Sequence, residues 1–243
     1  MKRNTWGALF AVVAFAISSA AFADEDRQEQ GAVTISGVTY TFNTPSPIAG
    51  ATVSIAEFPW ISTVSDAQGR YSLRVPDEAQ VTPFVSAPGY RTMHLQTFET
   101  DGEDISRVFA EMVPLQVYQF LAAVLGIDPN GPECNVVSTV SVHAFQGLSF
   151  EELVALVPSG EPGATVDARP ALPSPIYFNA QGLPDPSLSA TTIDGGVLFL
   201  NMPSGVHVLR ATHPEHRFAK MKTTCAPGRF INASQPWGLW EKR

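Results

Sequence analysis

The chain has 243 residues, with 15 basic and 23 acidic side chains and a net charge of −8. Without Lys2 and Arg3, 13 basic residues stand against 23 acidic ones, a net charge of −10 with no basic stripe. That balance argues against nucleic acid and anionic membrane surfaces as partners, because both are bound by neutralising phosphates with Lys and Arg.

In chain order, Lys2 and Arg3 precede residues 6–17, all apolar or glycine, and then Ser18, Ser19 and the triplet Ala21, Phe22, Ala23. This order predicts a signal peptide over 1–23, cleaved before Asp24, and a periplasmic or secreted product. The apolar run is shorter than the roughly 20 residues a bilayer requires, so no membrane insertion is expected after cleavage. Residues 24–30 (DEDRQEQ) read as a solvated acidic leader.

Residues 31–113 carry short alternating runs separated by Pro, Gly, Asn and Asp, the pattern of an all-β module. In residues 70–76 (RYSLRVP), Tyr71, Leu73 and Val75 share one face and Arg70, Ser72 and Arg74 the other. That is a half-buried antiparallel strand. Pro114 then opens a helix predicted over 115–125, with Leu115, Tyr118, Leu121, Ala122 and Leu125 on its buried face and Gly126 as its stop. Residues 114–132, this helix and the loop 128–132 (DPNGP), form the linker.

From 133 to 243 the strand pattern resumes and repeats the first half. GATV at 50–53 recurs at 163–166, and the Asp66–Gly69 turn recurs at Asp194–Gly196. Tyr71, Leu73 and Val75 map onto Leu198, Leu200 and Met202, and APGYR at 87–91 maps onto HPEHR at 213–217. The second copy carries a Pro-rich insertion at 170–186, well beyond an ordinary hairpin loop. By strand parity Cys134 faces inward with Val136 and Val140, and Cys225 with Ala219 and Met221. An even pair in an exported chain predicts a disulfide.

Residues 47–53 (PIAGATV), 63–76 (TVSDAQGRYSLRVP) and 87–91 (APGYR) together resemble the carboxypeptidase regulatory-like domain. That family is a prealbumin-like β-sandwich similar in architecture to transthyretin and to starch-binding modules. The resemblance covers 31–113 and reaches 135–235 through the internal repeat. It implies an all-β fold of two tandem prealbumin-like or Ig-like antiparallel sandwiches joined by one short helix. It also implies a non-catalytic role, since domains of this family fold, bind or present.

The functional expectation is an exported binding or accessory protein, with a polysaccharide, another cell-envelope polymer or an envelope protein as partner. Its candidate ligand surface is Trp60 with Tyr177, Phe178, Asn179 and Gln181 of the insertion. Those rings would stack on sugar faces and those amides would bond hydroxyls, on long loops borne by a rigid sandwich. No cofactor and no metal are expected. The alternative is a small metal-dependent hydrolase or oxygenase using His207, His213, Glu215 and His216. Against it, the His213–His216 spacing is not the i, i+4 of a helical zinc motif, Pro214 disfavours a helix, and the segment aligns with a plain turn of the first module. There is no G-x-S-x-G elbow for serine chemistry.

Overall fold

The computed structural model describes residues 31–156, 160–233 and 236–243. The signal peptide at 1–23 and the leader at 24–30 lie outside the described residues. The protein is all-β. Its first half holds β1 (Ala32–Thr41), β2 (Thr44–Pro47), β3 (Thr52–Ile55), β4 (Ser62–Val64), β5 (Arg70–Pro76), β6 (Gln80–Val81), β7 (Pro83–Ser86), β8 (Met93–His94), β9 (Phe98–Glu99) and β10 (Ala110–Met112). Helix α1 (Leu115–Leu125) follows, then β11 (Cys134–Ser141), a 3-10 turn at His143–Phe145 and α2 (Phe150–Ala155). The chain ends through β12 (Thr165–Arg169), β13 (Ile176–Phe178), β14 (Pro184–Asp185), β15 (Gly196–Met202), β16 (Gly205–Thr212), β17 (Arg217–Phe218), β18 (Met221–Cys225), β19 (Phe230–Ala233) and β20 (Leu239–Lys242).

Local chemistry accounts for these elements. On β5, Tyr71, Leu73 and Val75 are buried while Arg70, Ser72 and Arg74 are exposed, as the alternation predicts. The turn before it is tied by Asp66, whose Oδ1 accepts the Gln68 and Arg70 N–H groups. On β1, a side chain at Gly37 would sit 2.0 Å from the Val108 carbonyl oxygen, so only glycine admits this backbone approach. Helix α1 is entered through Pro114 in extended geometry and closed by Gly126 in the left-handed region, as its sequence implies. Only Tyr118 and Ala122 are fully buried on it. Helix α2 opens on a capping box, Ser149 and Glu152 each binding the other's backbone N–H.

The two halves make the same hydrogen bonds at matched positions. Ser65 Oγ accepts the Ala51 N–H and donates to the Ile48 carbonyl. Thr191 Oγ1 accepts the Ala164 N–H and donates to the Glu161 carbonyl. The Thr39 N–H donates to the Gly69 carbonyl, and the Val140 N–H to that of Gly195. Gly69 and Gly195 both hold positive φ, 71° and 76°.

The turn glycine of the second half is therefore Gly195, one residue before the sequence alignment placed it. The inward residues of β15 are Val197 and Phe199, which oppose Ser138 and Val136 as Tyr71 and Leu73 oppose Gly37 and Ile35. The expected trio Leu198, Leu200 and Met202 is corrected in its first two members. A break in register with Asn201 at φ 55° then returns Met202 to the core.

Three sheets frame the molecule, with the β6–β9 pair beside them. Strands β10, β1, β2 and β5 form one sheet of the first half, and β12, β16 and β18 one sheet of the second. The third is shared, in the order β14-β13-β15-β11-β19-β8-β7-β3-β4, with Ile231 of β19 pairing His94 of β8 across the junction. Each half has its own core, one around Ile35, Val53, Leu73 and Val85 and the other around Val136, Phe199, Leu209 and Met221. The Cys134–Cys225 disulfide crosses the second core, with Cα atoms 5.6 Å apart and both cysteines buried. Two smaller clusters fill the seam between the halves. One joins Tyr40 and Phe109 to Phe145, Phe150 and Leu153; the other joins Met93 and Val113 to Tyr118 and Phe230.

Candidate functional site

A cavity of about 390 Å³ opens at this seam. Strand parity explains its walls. Ala110 and Met112 of β10 face the first core, so Glu111 between them faces outward beside Tyr40, its partner on β1. On the other side, Ile231 and Ala233 of β19 face the second core, and Val136 and Val140 of β11 do the same. Phe230 and Asn232, with Val137 and Thr139, therefore turn toward the seam. Phe42, Asn43 and Thr44 also line the cavity, Leu121 and Leu153 contribute from the two helices, and Phe178 and Asp194 add to its wall.

The polar groups are few and convergent. Burial pushes the Glu111 carboxyl up to about 7, and the nearby charge of Asp194 adds to the shift. Hydrogen bonds from Asn232 and from the Asn43 N–H oppose it. Burial also raises Asp194, whose Oδ1 accepts the Gly196 N–H at 3.0 Å. Burial, with the Glu111 charge behind it, holds the Tyr40 hydroxyl protonated. At neutral pH Glu111 thus exists in both forms, able to accept a hydrogen bond as the carboxylate or donate one as the acid. Apolar walls with a few aimed polar groups and perturbed carboxyls are what a small-ligand site requires.

The residues expected from sequence distribute unevenly around this cavity. Phe178 lines it. Tyr177, its neighbour on β13, points the other way into the second core, and its hydroxyl accepts the Val166 N–H at 2.9 Å. Asn179 spends its Oδ1 on the Gln181 and Leu183 N–H groups of its own turn, and Gln181 is exposed beyond it. Trp60 is 77% exposed in the β3–β4 hairpin, edge-on to Phe58. The insertion adds β13 and β14 to one end of the shared sheet, while Trp60 lies at the other. Five strands separate β13 from β3, a span of about 30 Å at ~4.8 Å per strand. The expected surface of Trp60 with the insertion is thus not assembled: β13 is an edge strand paired to β15, and alternation sends its two rings to opposite faces.

The alternative metal set is divided too. His207 is buried, its Nε2 2.8 Å from the Pro203 carbonyl oxygen, and Glu215 is exposed. His213 and His216 do lie together, but with Glu161 and Glu241. Sequence reading missed Glu111 and Asn232, which sit in unremarkable strands, and took Asp194 only as a turn residue. The one available signal was a charged residue at the centre of an apolar strand.

No family model matches the chain, and no curated protein matches it. Among solved structures it is similar to the Bacillus anthracis TIE protein, at 14% identity and a TM-score of 0.27, over 87% of this chain and 34% of that one. The chain thus spans about a third of that protein's length. It is also similar to the shaft pilin SpaA of Lactobacillus rhamnosus GG, at 9% identity over 88% and 99% of the two chains, TM-score 0.26. The minor pilin GBS52 of Streptococcus agalactiae aligns at 9% identity over 87% and 97%, TM-score 0.26. Likeness this distant does not bear on activity or partner. No helix among the described residues is long and apolar enough to cross a membrane.

Proposed function

We propose that the chain is an exported, non-catalytic binding protein. In this reading two copies of a carboxypeptidase regulatory-like sandwich, 31–113 and 133–243, clasp a small ligand at their seam. The observation that carries it is the cavity, whose apolar and aromatic walls surround Glu111, Asp194 and Asn232. Its volume of about 390 Å³ suits one or two sugar-sized units. Phe42, Phe178 and Phe230 line it with aromatic surface that suits the C–H side of a saccharide, and the carboxyls and the amide suit its hydroxyl or amino groups. Two acidic groups disfavour an anionic ligand. A saccharide of the cell envelope, neutral or amino-substituted, fits best, with the protein acting in the periplasm or outside the cell.

Calorimetric titration with neutral and amino sugars tests this. Phe178→Ala and Glu111→Gln should each weaken binding about tenfold or more, the effect of losing roughly 1.4 kcal/mol. Trp60→Ala should bind as the parent does. Unchanged affinity in both cavity variants, or loss only in Trp60→Ala, would return the site to the hairpin.

A further inference from the structure

Two imidazoles and two carboxylates converge away from the cavity, on three separate segments. Glu161 precedes β12, His213 and His216 flank the bend between β16 and β17, and Glu241 lies on β20. Glu241 is fixed first: one of its oxygens accepts the His143 N–H at 2.9 Å and the other lies 2.6 Å from His216 Nδ1. With Nδ1–H donated to Glu241, the neutral His216 ring carries its lone pair on Nε2. That nitrogen faces Glu161 Oε1 at 3.6 Å.

A separation of 3.6 Å is too long for a hydrogen bond. It is close to the spacing of two donors on one tetrahedral ion, about 3.3 Å for bonds of ~2.0–2.1 Å. His213 completes the set: one ligand atom each from Glu161, His213 and His216 lies within 4.8 Å of the others. The two imidazole centroids are 4.8 Å apart. The His213 ring is held by a long bond from the Glu215 N–H to Nδ1, 3.2 Å, which a tautomer shift on ligation would release. A carboxylate behind an imidazole that faces outward to further donors is the usual outer support of a metal ligand. Glu161, Glu241 and His216 side chains are 14%, 19% and 30% exposed, so the cluster is walled yet open to solvent.

We infer that His213, His216 and Glu161 form a site for a divalent transition ion, with Glu241 as the supporting carboxylate and a fourth position open to water. Two nitrogens and one oxygen within 4.8 Å of one another select zinc among the abundant divalent ions, and disfavour calcium and magnesium, which take oxygen donors. An ion here would tie the loop before β12 to the bend after β16. The rival arrangement, a protonated His216 held between the two glutamates, makes the same His216 contacts but has no use for His213.

That difference sets the experiment. Metal-free protein without a polyhistidine tag is titrated with Zn²⁺ by calorimetry, and with Co²⁺ by its visible absorption. One equivalent of Zn²⁺ should bind with a micromolar or tighter constant, and Co²⁺ should give the intense bands of a tetrahedral site. His213→Ala and Glu161→Gln should each weaken binding at least about tenfold. Glu241→Gln should weaken it by about tenfold through the lost support. Glu215→Gln, in the same bend but outside the cluster, should bind as the parent does. Absence of saturable Zn²⁺ binding by the folded parent, or binding indifferent to His213→Ala, would overturn the assignment, and either holds whether or not a variant folds well.

Discussion

Glu111 is held on the outward face of β10 with its carboxyl raised to about 7 from an ordinary 4.5. Because its folded value lies above the unfolded one, the unfolded chain releases the proton first as pH rises. Below about 4.5 both states keep the proton and the group has no effect. Between 4.5 and 7 the folded state loses ground, by up to about 3 kcal/mol at 1.36 kcal/mol per unit. Such a cost is tolerated where a group serves a site rather than the fold. Glu111→Gln keeps the shape and removes the ionisation. It should stabilise the protein at pH 8 by about 2 kcal/mol in urea denaturation, with the gain vanishing near pH 4.5. A destabilised variant at pH 8 would mean that the carboxylate is structurally required. If Glu111→Gln is stabilised as expected, loss of ligand in this same variant cannot be blamed on unfolding.

At the scale of elements, β13 shows what a strand does to a pair of adjacent rings. Tyr177 enters the core and Phe178 the cavity, so the two substitutions should separate cleanly. Tyr177→Phe removes the hydroxyl that accepts the buried Val166 N–H. It should lower stability by about 1–2 kcal/mol in urea denaturation, as expected of a buried donor left unmatched, without touching ligand affinity. Much of this level was legible in the sequence: the alternation of β5, the stop of α1 and the inward cysteines all follow from neighbours in the chain. The one-residue slip at β15 was not. A β-bulge moves a strand's faces without marking the hydrophobic pattern, and Val197, Leu198 and Phe199 are apolar on both sides. The cavity was illegible for a related reason. It is made where outward faces of two halves meet, and an outward residue in one half looks solvated until the other half is placed.

At the scale of the whole molecule the halves are joined by backbone as well as side chains. The Ile231–His94 pairing carries one sheet through both, and Trp237 Nε1 donates to the Ser106 carbonyl from the opposite half. His94 sits at that joint, stacked on Phe84 with ring centroids 5.2 Å apart, its Nδ1 buried without a partner among the described residues. Burial, with Arg229 and Arg91 nearby, lowers its pKa to about 4 from 6.5. Here the folded value lies below the unfolded one, so the unfolded chain takes up the proton first as pH falls. The neutral ring's contribution is full above about 6.5 and is lost toward 4, by up to about 3 kcal/mol. Over that window His94 and Glu111 pull in opposite directions, one losing and the other gaining stability on acidification. Their cancellation should hide both in the parent. Glu111→Gln should expose the histidine, giving a fall in unfolding free energy between pH 7 and 4.5 steeper than the parent's by about 2 kcal/mol. Adding His94→Phe to Glu111→Gln should flatten that fall again. An unchanged slope on adding His94→Phe would show that protons enter elsewhere and that the joint between the halves is not acid-sensitive.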